Sequence, residues 1–395
     1  MSTLCVFNCD NDMALANFSP GFTPPARIRE MMEELATLPR AWAELGIRNE
    51  ELGIRAFPGE KKIEELRASQ SCKLQQAERI IPNSQFLIPN LTIDEIVPWG
   101  WSPAVCHRLR QQGVPESLLP THDQLLEIRR LSSRERAVEL LAQMRQEGVC
   151  GDLHSQYCTD EAQVEAALCR WPQAILKAPW SGSGKGLRFA GQGEGGNLSG
   201  WYRRIIQQQG GVVVEPLNDK VHDLAMEFWS DGQGHVSYQG LSLFENHPNG
   251  AYRGNLLLPE TEKQAWLDQF VSPAQSLAVR QWLEHRLSTL IGTAYKGYLG
   301  VDMMIVKNSQ PSPINHTPYT INLHPLVELN LRMTMGMVSV LLYRRLPAGF
   351  HGSYRLEYFP TTDQLLAEEQ RLQAEHSYYR RLAGGVHYLA YIVGE

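Results

Sequence analysis

The chain has 395 residues and a net charge of −6, with 43% hydrophobic and 20% charged residues, as is ordinary for a globular protein. This length allows two or three domains. The acidic balance argues against general nucleic-acid binding, which usually requires a basic surface. No apolar run approaches the roughly 20 residues that span a bilayer. The first nine residues also lack the basic and apolar regions of a signal peptide.

Cysteine and histidine spacing bears on metal binding and on the cellular compartment. The seven cysteines form no Cys-x-x-Cys pair, and the twelve histidines form no His-x3-His pair on a predicted helix. We therefore expect no zinc site. Reduced thiols in a cytoplasmic protein, with no membrane or nucleic-acid partner, are the simplest interpretation.

Residues 1–130 are expected to form an N-terminal α/β domain. Residues 4–7 predict a strand that is followed at once by short polar side chains. Since ligands gather at the carboxyl ends of strands in α/β sheets, Asn8, Asn11 and Asp12 are candidates for substrate contacts. The alternative is an Asx-rich turn that caps the next helix. Further predicted elements are helices at 27–38, 60–68 and 103–113 (the last capped by Ser102), extended pieces in 79–89, and a turn at 97–102.

Residues 175–189 are the most informative stretch, and they follow predicted helices at 123–130, 132–147 and 160–169. The pattern is strand, glycine-rich loop, strand, with Lys177 on the first strand. Glycines allow a close approach of the backbone to a ligand, and successive N–H groups form an anion site. The Walker pattern fails, and no helix follows as the dinucleotide fingerprint requires. A lid over a nucleotide triphosphate is favoured over a mobile surface hairpin. The loop residues are Ser181, Gly182, Ser183, Gly184, Lys185 and Gly186.

The rest of the chain alternates between strand and helix patterns. Strands are predicted at 212–217, 223–229, 235–243, 298–306, 319–331 and 386–393. Helices are predicted at 201–209, 262–270, 273–290, 336–345 and 362–381.

A cluster of side chains, called here the acidic group (Asp302, Glu328 and Asn330), lies in the two strands predicted at 298–306 and 319–331. Alternation places Glu328, Asn330 and Arg332 on one face, and an antiparallel pairing could bring Asp302 opposite them. Two carboxylates and an amide oxygen would then form a Mg²⁺ site, with Arg332 near a transferring phosphoryl group or a substrate carboxylate. The alternative is a solvated strand face with a salt bridge. Flanking Leu and Val residues favour a buried sheet, where two carboxylates without a cation are costly.

Lys177, the glycine loop and the Glu-x-Asn-x-Arg signature at 328–332 together resemble the ATP-grasp superfamily. The resemblance covers roughly residues 130–345. It implies an α/β and α+β protein in which two α+β subdomains clasp ATP. These would be residues 131–215, with the glycine-loop lid, and 216–345, with the metal site. The N-terminal domain would precede them, and a C-terminal helix and strand (346–395) would pack on the core.

The same resemblance implies a role for each matching residue. Lys177 would contact the α-phosphate and adenine, and the loop 181–186 would cover the β- and γ-phosphates. Glu215 and Leu217 resemble the hinge that binds adenine. Asp223 resembles the acid that holds the ribose hydroxyls, with Glu227 as an alternative on the same strand face.

The resemblance also implies the metal ligands and the reaction centre. Asp302, Glu328 and Asn330 resemble the ligands of Mg²⁺. Arg332 resembles the basic residue at the reaction centre, and Arg253 lies where a second basic residue would reach the triphosphate. Lys177 completes the predicted catalytic set.

The expected function is an ATP- and Mg²⁺-dependent ligase that joins a small-molecule carboxylate to an amine through an acyl phosphate. A kinase with the same fold, or a nucleotide-binding regulator without turnover, are the alternatives. Catalysis would depend on positioning and electrostatic stabilisation, as in other phosphoryl transfers.

Overall fold

A computed structural model describes residues 3–43, 93–182, 186–191, 197–247, 250–308 and 320–394. In these ranges the strands form three sheets: a parallel pair, a sheet of four strands and a sheet of eight. The helix predicted at 60–68 and the extended pieces in 79–89 lie outside the described residues, as do Ser183, Gly184 and Lys185.

The N-terminal region is built on two parallel strands, β1 (Thr3–Val6) and β2 (Glu95–Pro98). The sequence predicts a turn from residue 97, but Val97 and Pro98 continue β2 because they pair with β1. Ser102 caps the next helix as predicted, since its Oγ accepts from the Val105 N–H at 3.3 Å. The helices of this region are α1 (Asn11–Asn17), α2 (Ala26–Glu34), α3 (Arg40–Ala43) and α4 (Pro103–Gln111), with a 3₁₀ turn at Glu116–Leu118.

The four-stranded sheet carries the predicted glycine loop. Its order is β3-β6-β4-β5, and every neighbouring pair is antiparallel. The pairing of β4 with β5 confirms the predicted strand-loop-strand unit. The strands are β3 (Gln156–Cys158), β4 (Ala174–Lys177), β5 (Leu187–Ala190) and β6 (Val212–Pro216), and the nearby helices are α5 (His122–Leu131), α6 (Arg134–Gln146), α7 (Glu161–Arg170) and α8 (Leu198–Gln209).

The eight-stranded sheet is antiparallel throughout, in the order β11-β10-β7-β8-β9-β12-β14-β13. One face packs against the long helix α10, and its apolar residues form the largest core, including Leu224, Met226, Val301 and Leu329. The opposite face carries polar side chains near β10 and β11, and it packs against the helix at Met335–Tyr343 near β8 and β9. The first strands are β7 (Asp219–Asp231), β8 (Val236–Asn246), β9 (Tyr252–Leu257), β10 (Lys296–Asn308) and β11 (Thr320–Asn330), and the helices are α9 (Glu260–Leu267), α10 (Pro273–Ile291) and α11 (Met335–Tyr343).

The C-terminal segment adds β12 (Gly352–Tyr358), β13 (Tyr378–Gly384) and β14 (Tyr388–Gly394) to the same sheet. The helix predicted at 362–381 is wrong in its last turns, because the helix, α12 (Thr362–Glu375), ends at Glu375 and the residues from Tyr378 form β13. β14 is buried along its whole length, and β13 pairs with it as the edge strand. No helix in the described ranges is long and apolar enough to cross a membrane.

Candidate functional site

The predicted acidic group forms on the polar face of the large sheet. Asp302 on β10 lies directly opposite Glu328 on β11, which confirms the predicted antiparallel pair. Asn330 Nδ2 donates to Asp302 Oδ2 at 3.0 Å. Leu329 and Leu331 turn the other way and pack in the core, as alternation predicts. The three predicted metal ligands therefore lie together.

The electrostatics of this group fit a divalent cation. Burial and the neighbouring charge of Glu328 raise the pKa of Asp302 to about 7. Two facing carboxylates resist ionising together unless a positive charge compensates them, and Mg²⁺ supplies that charge to oxygen ligands. Within the described residues, no group of three or more His, Cys, Asp and Glu side chains is placed to hold a metal. The fit therefore depends on the amide oxygen of Asn330, water and phosphate oxygens in addition to the carboxylates.

Arg332 lies at the edge of this group and is held from two sides. Its Nε and Nη2 donate to the two carboxylate oxygens of Asp12 at 2.7 and 2.8 Å, and Nη2 also donates to Asn330 Oδ1 at 2.9 Å. Burial alone would lower the pKa of Arg332, but the charge of Asp12 reverses that effect and raises it. Arg332 is thus a fixed cation between the acidic group and helix α1.

The three N-terminal candidates have different positions. Asp12 contacts Arg332 and is part of the site. Asn8 is buried and braces the backbone, since its Nδ2 donates to the Gly100 carbonyl at 2.8 Å and its Oδ1 accepts from the Gly100 N–H. Asn11 lies beside Asp12 in the wall of a small pocket. The residue at the N-cap of α1 is Asp10, and its side chain makes no capping bond.

Arg134 joins the glycine loop to the acidic group and was absent from the sequence prediction. Its Nη1 donates to the Ala178 carbonyl at 2.5 Å and to Ser181 Oγ at 2.7 Å. Its Nη2 donates to the Ser181 carbonyl at 3.1 Å and to Glu328 Oε2 at 2.8 Å. No motif marks this arginine. The one available signal is helical spacing, which places it on the buried face of α6 with Ala137 and Leu141.

The first residues of the glycine loop pass over Asp12. A Cβ on Gly182 would lie 3.1 Å from Asp12 Oδ2, so the backbone of the loop passes close to this carboxylate. Ser181 at the start of the loop, two residues of the acidic group and Arg332 line a small pocket. Its walls include Asp12, Trp180, Ser181, Glu328, Asn330 and Arg332.

Lys177 and Glu215, two of the residues predicted to contact the nucleotide, form a buried ion pair. Lys177 Nζ lies 2.5 Å from Glu215 Oε2 across the neighbouring strands β4 and β6. Burial would raise the pKa of Glu215, but Lys177 and His324 lower it overall. The predicted hinge donor, the Leu217 N–H, donates to the Gln173 carbonyl at 3.0 Å. Lys177 is therefore held in an ion pair, and the Leu217 N–H, just after β6, is already bonded to the backbone just before β4.

Asp223 and Glu227, the two candidates for the ribose, differ in accessibility. Asp223 accepts from Lys220 Nζ at 2.7 Å and from Asn246 Nδ2 at 3.0 Å, and a fifth of its side chain is exposed. Glu227 is completely buried and accepts from Thr334 Oγ1 at 2.8 Å. Its burial raises its pKa to about 8. Of these two carboxylates, Asp223 is the one with exposed side-chain surface.

Arg253 lies apart from the acidic group. Its side chain is half exposed, and its nearest carboxylate is Glu245, at 3.6 Å. Nothing in the described part of the chain connects it to Asp302 or Glu328. Its predicted role at the triphosphate remains a prediction.

A second cavity, of about 370 Å³, lies further along the polar face of the large sheet. A Cβ on Gly300 would meet Glu227 Oε2 and Thr334 Cγ2 at 2.8 Å, so these two side chains cover the sheet between Asp302 and the cavity. The cavity is thus separated from the acidic group. Its walls include Glu95, Trp101, Trp229, Lys296, Tyr298 and Met333.

The comparison with known proteins concerns the fold. No protein-family model and no curated protein matches the chain. The biotin carboxylase domain of 2-oxoglutarate carboxylase from Hydrogenobacter thermophilus, solved with MgADP, ADP and bicarbonate, matches with a TM-score of 0.52 and 12% identity, over 100% of this chain and 86% of that one. Pyruvate carboxylase from Rhizobium etli, solved with acetyl coenzyme A, matches with a TM-score of 0.51 and 14% identity, over 100% of this chain and 36% of that one. These are ATP-grasp structures, so the predicted ATP-grasp fold is confirmed.

Proposed function

We propose that the protein is an ATP- and Mg²⁺-dependent ligase that joins a carboxylate to an amine through an acyl phosphate. The observation that supports this most directly is the position of Arg332. It is a partly buried cation that contacts Asn330 of the acidic group on one side and Asp12 of the N-terminal region on the other. A cation here can bring a carboxylate substrate close to the γ-phosphate, where like charges otherwise repel.

The nucleotide would lie between the two antiparallel sheets. Lys177 would neutralise a phosphate, and the loop that begins at Ser181 would cover the triphosphate with its N–H groups. Asp302, Glu328 and Asn330 would hold Mg²⁺, which neutralises the charge that develops on the phosphates. Arg134 would keep the loop and Glu328 in register, because it contacts both.

The reaction needs no side-chain nucleophile. A substrate carboxylate oxygen attacks the γ-phosphorus, the bond from phosphorus to the ADP oxygen breaks, and an acyl phosphate forms. The amine then attacks the acyl carbon, so that a C–N bond forms, and inorganic phosphate leaves with the former carboxylate oxygen and takes up the proton that the amine loses. Arg332 would neutralise the carboxylate in the first step and the departing phosphate in the second.

Two measurements test this proposal. Mg²⁺ and ATP should raise the melting temperature, since a ligand at 100 times its Kd adds about 2.7 kcal/mol. A set of carboxylates and amines is then screened for those that release phosphate from ATP. With an active carboxylate labelled with ¹⁸O, label should appear in the phosphate, and hydroxylamine should trap a hydroxamate.

Other outcomes would point to the alternatives. A stable phosphate ester as product, without ¹⁸O transfer, would show that the protein is a kinase and not a ligase. A kinase requires a general base for its hydroxyl acceptor, and Asp12 lies at the site, but both its oxygens accept from Arg332. Nucleotide binding without turnover for any acceptor would favour a regulator.

A further inference from the structure

His324 on β11 is completely buried, and neither of its ring nitrogens has a hydrogen-bond partner among the described residues. Buried polar side chains are nearly always paired, and an unpaired one costs about 1–3 kcal/mol. The ring therefore lacks the partner that its position requires. The acidic group does not supply this missing partner, because Asp302, Glu328 and Asn330 form hydrogen bonds with each other and with arginines.

A β-bulge turns His324 towards the site. Asp302 pairs with Glu328 and Met304 pairs with His324, so β11 uses two more residues than β10 over this interval. Pro325, which has no N–H for the ladder, lies within the bulge. Bulges beside active sites change the direction of side chains. Because side chains alternate between the two faces of a strand, an even number of extra residues leaves His324 on the same face of the sheet as Asp302.

The charges that act on the ring come from the four-stranded sheet, which carries the residues predicted to bind the nucleotide. Glu215 and Lys177, on the strands of the smaller sheet, are the charged groups that affect it. Burial lowers the pKa of His324 to about 4, so the imidazole is neutral at pH 7. A neutral imidazole has one N–H donor and one acceptor nitrogen. An N–H that points to the Glu215 carboxylate leaves the other nitrogen as an acceptor.

We propose that His324 recognises the nucleobase, with its N–H directed to Glu215 and its other nitrogen accepting from the exocyclic amino group of adenine. This rests on the proposed function, since it requires a nucleotide between the two sheets. Guanine carries a carbonyl oxygen at the corresponding position. Two acceptors would then face each other, so the arrangement selects ATP over GTP.

The test is a thermodynamic cycle that combines a change of the His324 side chain with removal of the exocyclic amino group of adenine. The Kd values of the Mg²⁺ complexes of ATP and of purine riboside triphosphate, which lacks the amino group, are measured by calorimetry for the wild type and His324→Phe. In the wild type, loss of the amino group should weaken binding roughly three- to tenfold, the effect of one hydrogen bond. In His324→Phe the two nucleotides should bind equally. His324→Leu provides a second apolar variant if the first does not fold.

His222→Phe is the matched control. Its ring lies on β7 and packs against Trp266 and Phe270, with centroids 5.1 and 5.0 Å apart. His222→Phe should keep the wild-type ratio of the two Kd values. An unchanged ratio in both His324 variants, whatever their melting temperatures, would overturn the role of His324 and leave the proposed function standing. A wild type that binds neither nucleotide would overturn both.

Discussion

Asp12 and Arg332 lie 320 residues apart in the chain and form a bidentate ion pair, with N–O distances of 2.7 and 2.8 Å. The pair connects helix α1 of the N-terminal region to the end of β11. It fixes the orientation of the guanidinium in a plane that also contacts Asn330. The N-terminal region therefore orients the cation of the proposed reaction centre, although the proposed metal ligands all lie on β10 and β11.

Asp12→Asn should reduce turnover far more than it alters nucleotide binding. The variant keeps the shape of the side chain but removes the charge that orients Arg332, and small misplacements of a positioning group can cost roughly 10²-fold in rate. Breaking a buried pair costs about 3–5 kcal/mol. Because a fifth of each side chain is exposed, we expect about 2–3 kcal/mol here. Phosphate release with an active acceptor and urea unfolding measure the two effects.

Asp10→Asn is the control for that variant. Asp10 is buried just before α1 and also forms a bidentate pair, with Arg108 at 3.1 and 3.3 Å. It should lose stability without a comparable loss of turnover. Equal losses of turnover in both variants would show that Asp12 acts only by holding the N-terminal region in place.

Glu328→Gln tests the proposed metal site. The amide keeps the size of the side chain and a hydrogen bond to Arg134, but it removes one of the two facing charges. Loss of one charge contact to the transition state costs about 3–4 kcal/mol, so turnover should fall roughly 10²–10³-fold at limiting Mg²⁺. Glu147→Gln is the control, since Glu147 contacts Trp282 and Arg286 away from the acidic group. Turnover near that of the wild type would exclude Glu328 as a ligand.

The strands that carry the site could be predicted because their information is local. Alternation placed Glu328 and Asn330 on one face, and the apolar residues beside them indicated a buried sheet. The direct pairing of Asp302 with Glu328 followed from a simple antiparallel connection. The strand-loop-strand unit around Lys177 was likewise visible from its glycines and the apolar runs on both sides.

Other parts of the site depend on contacts between distant segments. Arg134 has no motif, and its role appears only when Ser181 and Glu328 are seen on either side of it. The first four residues of the edge strand β13 were predicted as helix because the predicted helix ran to residue 381, whereas their pairing with the buried β14 decides their structure. The ion pair of Asp12 with Arg332 could not be derived from spacing in the sequence.

Glu227 should make stability depend on pH. Its pKa rises from its ordinary 4.5 to about 8, chiefly through burial and further through the charge of Asp302. Between these values the folded chain keeps a proton that the unfolded chain releases. The stabilisation is therefore complete below about pH 4.5 and is lost as the pH rises towards 8, by at most about 1.4 kcal/mol per pH unit.

Glu227→Gln removes this titration and should flatten the curve. Urea unfolding in EDTA at about pH 5 and about pH 8 should show a smaller loss of stability in the variant than in the wild type. Glu245→Gln, at a half-exposed position on β8, should keep the slope of the wild type. If wild type and Glu227→Gln have the same slope, Glu227 is ionised in the folded protein.

Arg134→Lys tests whether one guanidinium couples the loop to the metal site. Lysine keeps the charge, but its single ammonium cannot reach the Ala178 carbonyl, Ser181 and Glu328 together. At least one buried acceptor loses its donor, so stability should fall by about 1–3 kcal/mol. Because the loop and Glu328 would no longer be held in register, the KM for Mg²⁺-ATP should rise and kcat should fall.

Arg136→Lys is the matched control on the same helix. Arg136 pairs with Glu135 and Glu139 of α6 itself, so the same substitution there leaves the loop and the metal ligand untouched. It should keep both kinetic constants near those of the wild type. An Arg134→Lys variant that loses stability but retains KM and kcat would show that Arg134 only supports the fold. A raised KM with unchanged kcat would confine its role to the loop, because the contact with Glu328 should affect the chemical step.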